Sequence, residues 1–410
     1  MLWNCIRTVR LLRRALATSR WPPERLRAWQ WRQLCRRLDH AYSNVPLYRK
    51  LYDECGFHPR DVRGLEDLGR VPVLRKERLR ATAPADRVAR GVRLASCRPI
   101  STSGSTGTPL QIFLDEADQC WQRATAWRIL FEHGYRLTDR TVEIRATLGQ
   151  RFFVQSLGVA RKDWLSLRDP PAAWVAHLER TRAQVVVACA TTLAALAEAA
   201  SAGGARPRPR LAFSDSEPLT PPLRKSIQQG LGCDPIDVFG LVELSNFAWQ
   251  CEQRQGFHVS ADSHLVEIDP ERATLIVTDL GMTGMPIVRY DTGDTAEIES
   301  EPCPCGRTLP RLRAIHGRAI ESVVLASGQR LFWPFFHEVL GAFAEIRQWR
   351  VLALPGHTPR VQLAAASTIV PHVRRTLAAA APELSDWEIE TLPEIPWRPG
   401  EKLRLVVTGP

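Results

Sequence analysis

The first half of the chain contains one strongly polar, glycine-rich stretch, Ile100-Ser101-Thr102-Ser103-Gly104-Ser105-Thr106-Gly107-Thr108-Pro109. Small hydroxylated residues and glycines leave backbone N–H groups accessible, which is what a phosphate chain needs around it. The stretch lacks the Gly-Lys-Ser/Thr ending of a Walker loop, so it does not predict a P-loop NTPase. A stretch of this composition is more often a plain turn, and its meaning depends on the segments around it.

Strand and helix patterns alternate on the C-terminal side of this stretch. Residues 118–133 have a helical pattern, the apolar run 185–189 predicts a buried strand, and residues 193–202 predict an alanine-rich helix. A β-rich section covers residues 257–299, and about 90 residues remain after Gly317. Alternation of this kind favours an α/β fold, followed here by a small α+β unit.

Three further segments follow the polar stretch in order: Phe239-Gly240-Leu241-Val242-Glu243, Tyr290-Asp291-Thr292-Gly293-Asp294 and Gly317-Arg318. In order and spacing, the set resembles the signature segments of the adenylate-forming (acyl/aryl-CoA ligase) superfamily. It is most similar to the phenylacetate-CoA ligase branch and its capsule-biosynthesis relatives. The likeness extends to residues 44–49, 68–76 and 303–310, so it covers nearly the whole chain.

The resemblance implies a two-domain α/β enzyme. A large N-terminal domain of mixed sheets and helices would cover residues 1–316, and a small mobile α+β domain would cover residues 323–410. Residues 317–322 would be the hinge. Relatives commonly have Asp or Lys two residues after the arginine of the Gly-Arg segment, whereas this chain has Ile320 there. A hinge needs only residues that tolerate a φ/ψ change, so rotation about residues 319–322 is still expected.

The resemblance also assigns roles in binding ATP and Mg²⁺. Glu243 would bind Mg²⁺, because this hard cation prefers carboxylate oxygen. Asp294 would accept hydrogen bonds from the ribose hydroxyls, and Arg318 would add a cation at the ribose or the phosphates. The other residues expected around the nucleotide are Thr102, Ser103, Gly104, Ser105, Thr106 and Gly107 at the phosphates, with Ser216, Glu217, Phe239 and Gly240 near the adenine side.

The implied reaction is attack of a substrate carboxylate on the α-phosphorus of ATP, which releases pyrophosphate and leaves an acyl-adenylate. A lysine of the small domain neutralises the charge at this centre in the family, and Lys402 is the candidate here. Glu401 separates Lys402 from Gly400, whereas relatives place the glycine directly before the lysine. The acyl group would then pass to CoA. A carrier-protein thiol, an amine or a hydroxyl in capsule, polysaccharide or secondary-metabolite biosynthesis remains the alternative acceptor.

Four residues near these segments suit a structural Zn²⁺ ion. Cys303 and Cys305 lie in a tight turn between Pro302 and Gly306, and Cys251 and His258 follow shortly after Glu243. Three thiolates and one imidazole form a Cys₃His set of the kind that holds four-coordinate zinc. Some members of this ligase branch hold zinc at matching positions. The competing interpretation is four unrelated reduced side chains.

The acid is expected between the 121–135 helix, the end of the 211–217 segment and residues 239–249. Trp249 follows Glu243 closely, where relatives place residues of the acyl pocket, so it is a candidate substrate contact. No basic residue stands out as a partner for a second acidic group. The sequence therefore favours a hydrophobic or aryl carboxylic acid.

The charge of the chain is concentrated at its N-terminus. The 55 Lys+Arg outnumber the 44 Asp+Glu, and residues 1–40 form a basic helical arm with ten arginines against Glu24 and Asp39. The remainder is close to neutral, so the charge does not argue for a nucleic-acid partner. The first 20 residues predict an amphipathic basic helix, which either packs on the domain or contacts an anionic membrane surface.

The remaining expectations concern compartment and class. Ten scattered cysteines without a secretion signal favour a reduced, cytoplasmic protein, in peripheral contact with a membrane if the N-terminal helix binds one. A degenerate member that binds nucleotide without catalysis is the non-enzyme alternative, but Glu243, Asp294, Arg318 and Lys402 are all present. Whether the chain forms a homodimer stays open.

Overall fold

The computed structural model describes residues 2–101, 110–146, 149, 155, 158–299, 301–318, 322–343, 345–395 and 404–408, with the backbone only of Leu2, Arg318 and Pro334. Three helices open the chain: α1 (Leu2–Thr18), α2 (Pro23–Asn44) and α3 (Pro46–Glu54). Two short helices follow, α4 (Lys76–Ala81) and α5 (Pro84–Arg87). Proline stands at the first turn of α2 and α3, where its missing N–H costs no hydrogen bond.

A hairpin brackets the polar stretch. Strands β1 (Arg98–Ser101) and β2 (Gln111–Leu114) pair antiparallel, with Ser101 opposite Gln111. Helix α6 (Glu116–Glu132) begins directly after β2, and Asp115 caps it by accepting a hydrogen bond from the N–H of Asp118 at 2.8 Å. Helix α1 packs along α6.

An eleven-stranded mixed sheet forms the centre of the described structure. Its strand order is β10-β11-β12-β13-β9-β8-β7-β6-β5-β3-β4. The parallel half consists of β3 (Thr141–Arg145), β4 (Lys162–Ser166), β5 (Val185–Cys189), β6 (Leu211–Asp215) and β7 (Ile236–Leu241). Helices α7 (Pro171–Thr181), α8 (Ala190–Ala202) and α9 (Pro221–Leu231) cover one face of this half.

The antiparallel half continues from β7. It consists of β8 (Ser245–Trp249), β9 (Phe257–Val259), β10 (His264–Ile268), β11 (Thr274–Asp279), β12 (Tyr290–Glu299) and β13 (Arg311–Arg318). Side chains of α2 and α3 pack with this half in a shared core that includes Leu34, Tyr48 and Val277. The predicted α/β class with a large mixed sheet is confirmed.

The described residues after 321 form a sheet and a core of their own. Strands β16 (Gln348–Leu352), β17 (Arg360–Ala364), β18 (Glu388–Leu392) and β19 (Val406–Val407) make a four-stranded sheet, and β14 (Val323–Val324) pairs with β15 (Arg330–Leu331). Helices α10 (Trp333–Leu340) and α11 (Val370–Ala380) pack against the four-stranded sheet, in a core around Phe336 and Val373. The expected hinge residues 319–321 lie outside the described residues, so the domain boundaries stay a prediction.

Short 3₁₀ turns complete the secondary structure, at Pro59–Asp61, Leu65–Arg70, Leu94–Ser96, Ser367–Ile369 and Pro382–Leu384. No helix in the described part of the chain is long and apolar enough to cross a membrane.

Candidate active site

The segment 44–49 holds the residues that precede β12 through hydrogen bonds of Tyr48. The α2–α3 corner directs Tyr48 into the core, where its hydroxyl donates a hydrogen bond to the carbonyl of Pro286 at 3.0 Å. The same hydroxyl accepts a hydrogen bond from the N–H of Val288 at 2.8 Å. Burial raises the pKa of Tyr48 above its ordinary value, so the hydroxyl stays neutral. This contact fixes the backbone two residues before Tyr290.

The segment 68–76 holds the same backbone from the other side. Leu74 donates its N–H to the carbonyl of Arg289 at 2.9 Å and accepts from the N–H of Asp291 at 3.0 Å. The next residue, Arg75, pairs with the buried carboxylate of Asp291 at 2.8 Å. These contacts place Lys76, the first residue of α4, beside the start of β12.

Glu243 is a buried carboxylate with two described partners. It follows β7 and is 1% exposed. The Tyr290 hydroxyl donates to its Oε1 at 2.8 Å, and Nζ of Lys76 lies 3.2 Å from the same oxygen. Burial and the neighbouring Glu243 raise the pKa of Tyr290 well above its ordinary value, so the tyrosine remains a donor. Both contacts use Oε1, which leaves Oε2 for a further ligand.

Gly240 is required by close backbone packing at the end of β7. A Cβ atom there would lie 2.4 Å from the carbonyl oxygen of Ser245 and 2.5 Å from Cα of Asn246. The pairing of β7 with β8 shifts register between Phe239 and Gly240. The chain can therefore turn back on itself from β7 to β8, and Glu243 lies in this turn.

Asp294 and Arg318 lie opposite each other on neighbouring strands. The register of β12 and β13 pairs these two residues. Gly293 adopts φ +74°, a left-handed conformation that favours glycine, and its N–H donates to Oδ1 of Asp291 at 3.0 Å. The sequence analysis expects both charged residues to contact the nucleotide. In the structure their backbones are paired on adjacent strands.

The segment 214–218 follows the end of β6. Asp215 accepts two hydrogen bonds from Arg145, both at 2.6 Å, and Ser216 adopts φ +70°. Glu217 is buried and accepts hydrogen bonds from the N–H and hydroxyl of Thr191, at 3.1 and 2.6 Å. The Glu217 side chain therefore caps the start of α8, and its expected part in the nucleotide site stays a prediction.

Several expected site residues lie outside the described residues. They include Thr102, Ser103, Gly104, Ser105, Thr106 and Gly107, and also Lys402. Only the backbone of Arg318 is described. The strands on either side of residues 102–109, β1 and β2, pair antiparallel.

A cavity of about 330 Å³ lies between α6 and the parallel half of the sheet. Its apolar wall includes Trp127 and Leu130 of α6, together with Val187, Phe213 and Val238 of the sheet. Ser245 and Asn246, which follow Glu243 closely in the sequence, also line the cavity, as do charged residues of β3 and β4. The cavity occupies the region in which the sequence analysis expects the acid.

Trp249 does not line this cavity. It is fully buried, and its ring packs against His133 and His258 at centroid distances of 5.4 Å. The Arg307 guanidinium lies 5.2 Å from the ring centroid. Trp249 packs in a core cluster with Phe213 and Val238, so its expected contact with the acid stays a prediction. Trp127 and Trp164 are the tryptophans at the cavity.

The four predicted zinc ligands lie together. Their ligand atoms are all within 4.8 Å of one another. The sulfur atoms of Cys251 and Cys303 are 3.7 Å apart, and Nε2 of His258 lies 3.3 Å from the Cys305 sulfur. Nδ1 of His258 lies 3.4 Å from the carbonyl of Leu309, which leaves Nε2 directed towards the thiols.

Burial dominates the electrostatics of this cluster. It lowers the pKa of His258 to about 4, so the imidazole is neutral near pH 7. Burial also raises the pKa of Cys251 to about 12. For Cys305, burial is outweighed by hydrogen bonds from Arg307, which lower the pKa of the thiol. A neutral imidazole beside thiols that a cation would deprotonate suits Zn²⁺.

The comparisons with known proteins agree with this geometry. The phenylacetate-coenzyme A ligase of Thermus thermophilus is 30% identical over 356 residues, covering 79% of this chain and 77% of the relative. The chain belongs to the phenylacetate-CoA ligase family. The Escherichia coli (strain K12) phenylacetate-coenzyme A ligase is 27% identical to this ligase, over 74% of the chain and 73% of the relative. No family model matches the ligase.

A solved structure of 2-hydroxyisobutyryl-CoA ligase in the postadenylation state has the same fold. Its TM-score to this ligase is 0.79, with 21% identity, 95% of this chain covered and 91% of the other. The expected superfamily is thereby confirmed, and the chain is an AMP-forming acid–CoA ligase. Enzymes of this class make an acyl-adenylate and then the CoA thioester.

Lys76 contacts Glu243, and the sequence analysis did not single it out. It lies in a segment that carries the resemblance, and it is one of only five lysines in the chain. This scarcity was the available signal. The contact with Glu243 joins residues 167 positions apart, so only the tertiary structure reveals it. The charged wall of the cavity, formed by β3 and β4, was also missed.

Proposed function

We propose that this ligase converts a hydrophobic or aryl carboxylic acid into its CoA thioester through an acyl-adenylate. One observation carries the proposal. The buried Glu243 is held by Tyr290 and Lys76 two residues before Ser245, which lines a cavity with a large apolar wall. A fixed carboxylate beside a pocket for an organic acid suits a reaction that depends on positioning and on charge neutralisation.

The chemistry has two group transfers. A carboxylate oxygen of the acid attacks the α-phosphorus of ATP, and the bond to the departing pyrophosphate breaks. The CoA thiolate then attacks the acyl carbon of the adenylate, and AMP leaves with the bonding electron pair. Asp294 would orient the ribose, and Arg318 would add positive charge at the nucleotide. Residues 102–107 would surround the β- and γ-phosphates.

Glu243 is the proposed ligand for Mg²⁺. Its Oε1 accepts from Tyr290 and pairs with Lys76, so Oε2 is the oxygen left for a cation among the described contacts. A carboxylate oxygen fits this hard cation. The bound ion would supply charge neutralisation at the phosphates. Lys76 and Tyr290 would hold the Glu243 carboxylate in one orientation.

Cys251, His258, Cys303 and Cys305 are the proposed ligands of a structural Zn²⁺ ion. The fit rests on four ligand atoms of the right chemistry within 4.8 Å of one another. The ion would join the turn after β8, strand β9 and the segment before β13. All ten cysteines are free thiols, which supports placing the ligase in a reducing compartment, the cytoplasm.

The small C-terminal unit would complete the active site. We place Lys402 at the α-phosphate and carboxylate during adenylation, and rotation about residues 317–322 would then open the site to CoA. The support is the separate core of the unit around Phe336, together with the resemblance of the segment that contains Lys402.

Helix α1 is proposed to contact an anionic membrane surface. Its inner face packs on α6, whereas Trp3, Ile6 and Val9 on the outer face are 67%, 37% and 48% exposed. Three exposed arginines, at positions 7, 10 and 13, lie beside this ridge. An exposed helix face on which apolar side chains alternate with arginines matches acyl chains and anionic headgroups.

The test of the function is pyrophosphate release over a panel of aryl and fatty acids, each with and without CoA. We expect ATP-dependent release with at least one hydrophobic or aryl acid, and a thioester of the same acid by mass spectrometry when CoA is present. Absence of release over the whole panel would contradict the proposal. Release without any thioester would leave the adenylation but exclude CoA as the acceptor.

A further inference from the structure

The cavity has one charged wall in a place where the fold predicts apolar residues. Strands of a parallel sheet that is covered on both faces are normally apolar on both. On the face towards α6, the central strands follow this rule with Val187, Phe213 and Val238. The neighbouring strand β3 instead presents Glu143 and Arg145, and the edge strand β4 presents Lys162; all three line the cavity.

These charges form a continuous chain of ion pairs along the wall. Nζ of Lys162 lies 3.0 Å from Oε2 of Glu143, and Oε1 of Glu143 accepts from Nε of Arg145 at 3.0 Å. Arg145 in turn holds Asp215 through two bonds of 2.6 Å. The side chains of Lys162, Glu143 and Arg145 are 18–26% exposed. A molecule in the cavity can therefore contact these ion-paired groups.

The chain of ion pairs is electrically balanced. Lys162 and Arg145 outweigh the effect of burial and lower the pKa of Glu143 to about 2, so this carboxylate is ionised near pH 7. Two cations and two anions leave no excess charge. A balanced pair still offers hydrogen bonds, because an ammonium has three donors and the described contacts of Lys162 use one of them, for Glu143.

The charged wall lies away from the part of the cavity near Asn246, where the carboxylate of the acid would react. Gly240 and Asn246 mark the side of β7 and β8, and three strand spacings separate β7 from β3 in the order β7-β6-β5-β3. Adjacent strands are about 4.8 Å apart, so the backbones of β7 and β3 are about 14 Å apart. An acid with its carboxylate near Asn246 would cross the apolar strands and present its far end to Glu143 and Lys162.

We infer that the acid carries an uncharged hydrogen-bonding group at the end remote from its carboxylate, and that Lys162 and Glu143 recognise this group. The inference rests on the proposed function and names the substrate class: aryl acids with a distal hydroxyl, such as 4-hydroxyphenylacetate. It refines the sequence-based preference for a plain hydrophobic acid.

Competing substrates fit the wall less well. An unsubstituted ring would cover the ion pairs without replacing their contacts with water, and a site built to bind a hydroxyl rejects the analogue that lacks it. A second carboxylate would add an uncompensated negative charge to a balanced chain. Arg98 and Arg123 also line the cavity, from β1 and α6 rather than from the sheet, so a carboxylated acid is included in the test.

The experiment measures kcat/KM for pyrophosphate release with phenylacetate, 4-hydroxyphenylacetate and 4-carboxyphenylacetate, and with cinnamate and 4-hydroxycinnamate. We expect the wild type to prefer each hydroxylated acid over its parent by tenfold or more. Lys162→Met should lower this ratio about tenfold, because it removes a charged donor. Lys225→Met is the matched control on the exposed side of α9 and should leave the ratio unchanged.

A second variant guards against loss of folding. Lys162→Met combined with Glu143→Leu replaces the pair by apolar side chains, which often preserves stability, and should reverse the preference in favour of the unsubstituted acids. A wild-type preference for unsubstituted or carboxylated acids would overturn the inference, as would an unchanged ratio in both variants. Absence of release with every acid would instead contradict the proposed function, and the inference would fall with it.

Discussion

Glu243 illustrates how single residues prepare the site. A buried carboxylate is costly unless it is paired and hydrogen-bonded, and Lys76 and Tyr290 together meet this requirement. Tyr290 is in turn fixed through the backbone by Leu74 and, two residues earlier, by Tyr48. Segments that the sequence could relate only by order along the chain therefore meet at one side chain.

Lys76→Met should weaken ATP binding more than it slows turnover. The substitution removes a cation beside the proposed metal ligand, so we expect KM for ATP to rise about tenfold and stability to fall by about 2 kcal/mol, less than for a fully buried pair because Lys76 is partly exposed. Steady-state kinetics and thermal unfolding measure both quantities. Lys50→Met, on the exposed surface of α3, is the matched control.

Tyr290→Phe separates a positioning role from a structural one. It removes a hydrogen bond to Glu243 without changing charge, so stability should fall by about 1.5 kcal/mol while KM for ATP changes less than in Lys76→Met. If both variants changed stability and neither changed KM, Lys76 would have only a structural role.

Residue identities could be predicted where chemistry restricts them. Glu243 and Asp294 were assigned through the family resemblance of their segments, and the Cys₃His set was predicted from residue type and spacing. Lys76 was not, because its contact depends on how α4 docks against β12. Trp249 was assigned to the acid from its place in the sequence, but the direction of its side chain depends on strand register, which the sequence did not specify.

Individual elements were predicted unequally. The helix at 118–133 and the strand at 185–189 have strong local patterns, and the structure has them at Glu116–Glu132 and Val185–Cys189. Strand β4 was not predicted, because Lys162, Asp163 and Trp164 do not form an apolar run. The polar character of this strand now has a physical reason, since one of its faces lines the cavity.

The zinc proposal makes a prediction for the elements around β9. Cys303→Ser should lower the zinc content of the purified protein well below one ion per chain and lower the melting temperature, because it removes one of four ligands. Cys120→Ser alters another buried cysteine outside the cluster and should keep the zinc. Wild-type protein prepared without chelator or a nickel column, and found to hold almost no zinc, would refute the site.

Helix α1 permits a membrane test that spares the fold. Trp3→Ser combined with Ile6→Ser changes only the outer face, whereas deletion of the helix would expose α6. We expect the wild type to sediment with vesicles containing phosphatidylserine, less at high salt, and the double variant to remain in solution. Equal sedimentation of both proteins, or none with the wild type, would exclude this role for the exposed ridge.

At the scale of the whole molecule, the sequence predicted the architecture but not the arrangement of the sheet. The alternation of strands and helices indicated an α/β fold, and the resemblance implied mixed sheets. The joining of both halves into eleven strands through β7 and β8 could not be read from local patterns, because it depends on pairings between distant segments. Glu243 follows the strand at which the parallel half meets the antiparallel half.

Lys402→Ala tests whether the C-terminal unit contributes to adenylation. Loss of this cation should lower acid-dependent ATP–pyrophosphate exchange by a hundredfold or more, because charge at the α-phosphate is then left uncompensated. The melting temperature should stay within about 2 °C of the wild type if Lys402 acts on the reacting groups and not on the fold. Unchanged exchange would remove Lys402 from the site.

The central claim is that Glu243, held by Lys76 and Tyr290, is the centre of an acid-activating site. Acid-dependent exchange of labelled pyrophosphate into ATP, compared between the wild type and Glu243→Gln, tests it most directly. We predict exchange in the wild type with an aryl or hydrophobic acid, and a loss of a hundredfold or more in a variant that remains folded. Exchange that persists in folded Glu243→Gln at the wild-type rate would contradict the account.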